Sequence, residues 1–271
     1  MNRRVWVLLA AALIAVFAVY LFPAIPQNDA YHDFADTRAF FGVPNFLNVA
    51  SNVFFLFVGL TGICCVLCRI TVRRSFVDPR ERWLYCAFFM GVTLTAFGSS
   101  WYHLHPNDRT LVWDRVPMAI GFMALLAAMI AERIDVTVGV RLLLPLVAIG
   151  VSSVVYWEFT QMRGHGDLRP YALVQFGGLL VTALLILLFP ARYSRTADLG
   201  IALGLYALAK AFEAIDKPVY RITGRVVSGH TIKHLVAALA TYWVLRMLRL
   251  RKPVNLWTRR VNPHARFDSE T

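Results

Sequence analysis

Polar positions along this chain gather in short clusters that separate eight apolar blocks, at 5–22, 46–68, 83–102, 112–131, 142–159, 171–189, 198–215 and 229–248. A helix needs roughly 20 mainly apolar residues to cross a bilayer, and each block is near that length. The clusters carry helix-ending residues. Pro23, Pro26 and Pro44 punctuate the first gap, and "DPRER" (Asp78–Arg82) turns the second. "HPND" places proline at the second position of a tight turn, followed by Asn and Asp. "RGHGDLRP" (Arg163–Pro170) ends on a proline suited to a helix start, and "KPVYRITGR" (Lys217–Arg225) is the last connection. The pattern predicts an all-α membrane protein. It consists of a seven-transmembrane helix bundle over 28–250, one additional N-terminal hydrophobic helix within 1–27, and a polar, basic tail over 251–271.

Composition sharpens this picture. Of 271 residues, 58% are hydrophobic and 16% charged, so little chain is left for a soluble domain. The net charge of +12 raises nucleic acid as a partner, but its distribution speaks for a membrane instead. Alternate connections, counted from the N-terminus and including the tail, hold 18 of the 28 basic residues; the opposite connections hold eight. Lys210 and Lys233 fall inside blocks. By the positive-inside rule both termini are cytoplasmic and the connection after 103 is exterior, or periplasmic. The tail is expected near anionic lipid headgroups. The first block, "VWVLLAAALIAVFAVYLF", could be a signal peptide or an anchor. Its length and the poor cleavage site in "PAIPQ" favour an uncleaved signal anchor. Cys64, Cys65, Cys68 and Cys86 read as small buried apolar residues.

Ionisable residues inside or at the edge of spans are costly, so they are candidates for function. Ser99 and His103 stand four residues apart at the end of block 83–102, facing one way. Asp114 opens the next block, and His230 and His234, again four apart, open the last. The alternation of spans delivers all five to the exterior face. Three neutral imidazoles are a known catalytic zinc set that leaves a position for water, and nitrogen ligands favour Zn2+ over calcium or magnesium. Asp114 would then move the proton of an activated water, and the Ser99 hydroxyl would stabilise a developing oxyanion. Simpler readings exist. Ser99 could bond back to its own helix, and Asp114 could complement the helix macrodipole. Trp101, Tyr102 and Trp113 fit an aromatic belt. His32, His105, His165 and His264 read as solvated loop residues, and Lys233 as a side chain that snorkels outward.

At these residues the sequence resembles the alkaline ceramidase family, within the wider superfamily that also holds adiponectin-receptor-like proteins. The family pattern is S-x-x-x-H, an Asp eleven residues after that His, and H-x-x-x-H in the last helix. Here these are Ser99–His103, Asp114 and His230–His234. "FADTRAFFGVPNFLNVASN", "LVWDRVPM" and "GDLRPYALVQF" resemble stretches of bacterial members, and the likeness covers roughly 28–248. It implies a seven-helix hydrolase with His103, His230 and His234 on zinc, Asp114 as proton-transfer carboxylate and Ser99 as oxyanion stabiliser. The implied reaction splits the amide of ceramide, or a related N-acyl lipid taken from the bilayer, into a long-chain base and a fatty acid. Eukaryotic members also carry calcium near the first core helix. Asp33 and Asp36 keep carboxylates there, but Arg38 stands in place of a neutral ligand and Asn45 in place of an acid. The expectation is that Arg38, a guanidinium among those carboxylates, replaces calcium.

Other polar residues have local roles in this reading. Lys210 and Glu213 make an intrahelical pair, Asp216 sits near the exterior end, and Asn48, Ser51, Asn52 and Gln175 hydrogen-bond across helices. The leading function is a zinc-dependent lipid amidase at the exterior leaflet, with no protein partner implied. The alternative is a seven-helix receptor or sensor with a structural zinc and no turnover. A transporter is disfavoured, since no span is broken at mid-membrane by paired Gly and Pro.

Overall fold

In the computed structural model, which describes residues 3–254, the chain is helical and, among those residues, contains no β-strand. The helices are α1 (Arg3–Tyr20), α2 (Phe46–Ala50), α3 (Val53–Leu67), α4 (Arg69–Ser75), α5 (Glu81–Leu104) and α6 (Asp108–Arg133). They continue with α7 (Val136–Met162), α8 (Arg169–Ala172), α9 (Gly178–Leu188), α10 (Thr196–Ala214), α11 (Asp216–Ile222) and α12 (Gly229–Leu250). A π-helical turn at Leu173–Gly177 joins α8 to α9. Of the expected basic tail, residues 255–271, with His264, lie outside the described residues.

Six helices are long and apolar enough to cross a membrane: α1, Phe46–Leu67, α5, α6, α7 and Arg169–Leu188. The blocks at 198–215 and 229–248 form α10 and α12 close to their expected bounds, yet neither is apolar enough to count by the same measure. The reason is charge. α10 carries Asp198, Lys210 and Glu213, and α12 carries Lys233, Arg246 and Arg249.

Several boundaries differ from the pattern. Block 46–68 is interrupted at Ser51 and Asn52, and α4 and α11 form where connections were read. α6 begins at Asp108, four residues early, because Asn107 caps it reciprocally. The Asn107 side chain accepts from the Thr110 N–H at 3.0 Å, and the Thr110 hydroxyl accepts from the Asn107 N–H at 3.2 Å. Asp114 therefore lies in the second turn of its helix.

α6 is the centre of the bundle. Its Ala119, Ala124, Ala127 and Ala128 are fully buried, and such small side chains let α5 and α7 approach closely. α3 packs on α5, α10 packs on α12, and α1 lies outermost against α9 with only Leu8 buried. Large apolar side chains such as Phe97, Leu144 and Leu187 point outward. The cysteines correct an expectation: Cys64 and Cys68 are exposed, and Cys65 and Cys86 are only half-buried at the edge of the core.

Neighbouring helices alternate in direction, so α5 ends where α6 and α12 begin. The other end of the bundle holds a buried ionic clasp. Arg251 pairs with Glu132, which also accepts from the Tyr85 hydroxyl at 2.6 Å. Arg192 pairs with Glu81 at 3.2 Å, and the Tyr193 hydroxyl donates to the same carboxylate at 2.9 Å. Arg251, read as the first residue of a basic tail near lipid headgroups, is fully buried because Glu132 and the ring of Tyr193, 4.0 Å away, enclose it.

Candidate metal centre

The last two turns of α5 bury Ser99 and His103. Gly98 permits this: a Cβ there would lie 1.9 Å from the Trp113 carbonyl oxygen, so the backbones of α5 and α6 touch. That contact sets Ser99 beside the buried Asp114 carboxylate. α12 starts at a cap in which the Ser228 hydroxyl accepts from the Thr231 N–H at 3.1 Å. His230 and His234 follow one turn apart on the same face.

A second glycine fixes the entry to α12. A Cβ on Gly229 would stand 2.4 Å from the Phe212 carbonyl oxygen and 2.7 Å from the Asp216 Cα. The close approach lets Asp216 accept from the His230 N–H at 2.7 Å and from the Ala35 N–H at 2.8 Å. Asp216 thus ties the first loop to the histidine helix.

The three imidazoles converge. His103 Nε2 and His230 Nε2 are 3.3 Å apart, and one ring nitrogen from each of the three histidines lies within 4.8 Å of the others. Two nitrogens each about 2.0–2.1 Å from a tetrahedral zinc would be roughly 3.3 Å apart. The Ser51 hydroxyl meets His234 Nδ1 at 2.8 Å, orienting the ring and leaving the buried Nε2 without a hydrogen-bond partner. A buried ring nitrogen with no hydrogen-bond partner suits a cation. The cluster could therefore hold a metal ion, and imidazole donors accept zinc, copper, iron or nickel. Phe34 covers it, with ring centroids 4.7 Å from both His103 and His230.

Ser99, Asp114 and His234 line one end of a cavity of about 300 Å³. Its remaining wall is mostly apolar and follows α12 from His234 to Val244, about 15 Å at the rise of a helix. The expected Lys210–Glu213 pair forms, but Glu213 also accepts from Lys233 Nζ at 3.1 Å and from the Tyr31 hydroxyl at 3.1 Å. Lys233 does not snorkel outward. Glu213 holds it inside, where its Nζ is 3.2 Å from His230 Nε2.

Other expectations divide. Across helices, Thr231 donates to Asn48 at 2.8 Å, and Gln175 donates to the Tyr206 hydroxyl. His105 and His165 are exposed, as read. His32 is not solvated: its ring bridges the Tyr102 hydroxyl at 2.9 Å and Asp108 at 3.0 Å. Tyr102, read as a belt residue, is buried by that bond, whereas Trp101 and Trp113 are exposed.

Arg38 grips Asp36 with two bonds of 2.8 Å and donates to the Val226 carbonyl at 2.7 Å. Burial alone would raise the Asp36 carboxyl, but the Arg38 hydrogen bonds outweigh it and hold the group below its usual range. Asp33 is elsewhere, exposed and paired with Lys217, so the guanidinium serves one carboxylate rather than two. Asn45 donates to the His103 carbonyl at 2.8 Å.

Arg115, counted as an exterior-loop charge, is buried inside α6. Its position beside Asp114 within an apolar block was the available signal. Phe34 had none. The chain matches no protein-family model and no curated protein sequence.

Proposed function

We propose that this protein is a zinc-dependent integral-membrane amidase that hydrolyses the N-acyl bond of ceramide or a related N-acyl lipid. One observation carries the proposal. Three buried histidines from two helices meet beside Asp114 and Ser99 at the end of an apolar cavity. In this reading α10 and α12 also cross the membrane. They complete seven spans with α2–α3, α5, α6, α7 and α8–α9, and α1 is an eighth, added helix. Most of their charges are tolerable because they are paired within the protein: Asp198 with Arg195 and Arg246, and Glu213 with Lys210 and Lys233, while Arg249 is exposed in the last turn of α12. The basic residues around the clasp end support cytoplasmic termini and an exterior histidine end. The motif likeness to alkaline ceramidases supports the reaction class.

His103, His230 and His234 would hold the zinc, which would supply Lewis acidity and a water acidified to near neutral pH. The apolar wall holds the acyl chain and excludes other water. The Asp114 carboxylate takes a proton from the attacking water and passes one to the amide nitrogen as the C–N bond breaks. The Ser99 hydroxyl donates to the carbonyl oxygen as it gains charge. A fatty acid and a long-chain amine leave, which balances the water consumed.

A receptor with a structural zinc is the competing reading. Structural sites are closed by four protein ligands, whereas the cluster offers three among the described residues. The test is product analysis by mass spectrometry after zinc-loaded protein meets a panel of N-acyl lipids. Release of fatty acid and amine in equal amounts is expected. Asp114→Asn should keep its zinc and lose turnover by about 10²–10⁴-fold. No product from any lipid would leave the receptor reading standing.

A further inference from the structure

Arg115 is 6% exposed and lines the same cavity as Asp114, its neighbour in α6. Its Nη2 donates to Gln27 Oε1 at 2.6 Å, and its Nη1 has no hydrogen-bond partner. It forms no ion pair among the described residues. Aromatic rings surround it instead, with Trp157 4.2 Å, Tyr171 5.1 Å and Tyr31 5.6 Å from the guanidinium carbon. A guanidinium stays charged in proteins, and a buried charge without an opposite partner is costly. The rest of the cavity does not cancel it. Glu213 is already shared by Lys210 and Lys233, so these three cations exceed Asp114 and Glu213 by one formal charge before the charge of an ion on the histidines is added.

We infer that the substrate carries a negatively charged group next to its scissile amide and that Arg115 receives it. This rests on the amidase reading above. Arg115 and Asp114 line the same cavity, so a group held by Arg115 lies within reach of a bond worked on by Asp114. N-acyl amino acids meet this requirement, because their carboxylate is one carbon from the amide nitrogen. A guanidinium N–H suits a carboxylate. The neutral hydroxyls of a ceramide headgroup would leave the guanidinium without an opposite charge.

The test uses zinc-loaded protein in detergent and two ketone isosteres in which CH2 replaces the amide nitrogen. One is a long-chain 4-oxo acid and the other is the matching neutral alcohol, so neither can be hydrolysed. The acid is expected to bind at least about tenfold more tightly, and Arg115→Gln is expected to bring the pair within about twofold. Equal binding by the unaltered protein, or an undiminished preference in Arg115→Gln, overturns the inference. Should that variant not fold, kcat/KM of the unaltered protein for N-oleoylglycine against N-oleoylglycinamide decides it. The acid should be favoured by about tenfold, mainly through KM. Preferred binding of the acid isostere with no hydrolysis of any lipid sinks the amidase and keeps the anion site. Hydrolysis without preference for the acid does the reverse.

Discussion

The two ends of the bundle both bury polar groups, and they do so differently. At the clasp end Arg251 meets Glu132 and Arg192 meets Glu81, with Tyr85 and Tyr193 as bridging donors. Each charge has an opposite charge in contact. At the histidine end three imidazoles face one another, His234 Nε2 has no partner, and Arg115 has no carboxylate. Desolvation is unfavourable at both ends. Only the clasp offsets it from within the chain. The histidine end leaves a lone pair and a positive charge unanswered, which is what a site looks like when its remaining partners are ligands. Burial of polar groups alone does not separate scaffold from function; the state of their pairing does.

This contrast can be broken by substitution. His230→Ala or His234→Ala is expected to abolish zinc binding, taking metal content from one per chain to near zero by elemental analysis. A full zinc complement in either variant would remove the ligand assignment. At the clasp, Glu132→Gln leaves Arg251 buried and unpaired, so denaturation in detergent should show a loss of about 3–5 kcal/mol. Zinc per folded chain should not change, and a joint loss would merge two ends that we treat as separate. Ser51→Ala removes the group that orients His234 and should weaken zinc binding about 10–100-fold in a chelator competition. Unchanged affinity would make that hydrogen bond incidental.

The smallest effect concerns Asp36, whose carboxyl Arg38 holds below its ordinary range. A depressed carboxyl stabilises the fold above its unfolded value of about 3.9 and loses that contribution as pH falls through the folded value. Asp36→Asn should therefore cost most near pH 7, and its difference from the unaltered protein should narrow below about pH 4. A pH-independent difference in unfolding curves would argue that the pair does not act through charge.

Much of the scaffold was legible beforehand because apolar length and helix-ending residues are local signals. The same local logic located Ser99, His103, Asp114, His230 and His234, since spacing of four residues and alternation of spans suffice to bring them to one end. What escaped depends on partners far along the chain. Lys233 is drawn inward by Glu213, His32 is docked on Tyr102 and Asp108, and Arg115 is anchored by Gln27. Each was read as solvated because a charged or polar residue near a helix end has water as its default partner. Arg251 failed the same way, with Glu132 as the distant cause. Of the charges that make α10 and α12 less apolar, Lys210, Glu213 and Lys233 belong to one such pairing.

Gly98 bears on how accurately the site can be built. With only a hydrogen atom between its Cα and the Trp113 carbonyl, α5 and α6 meet backbone to backbone one residue before Ser99 and one before Asp114. Side chains between helices act as compliant spacers, each with rotamers that can yield. Here no spacer exists, so the offset between Ser99 and Asp114 inherits the tolerance of main-chain geometry. The contact works as a mechanical datum, the fixed surface from which the positions of Ser99 and Asp114 are both gauged.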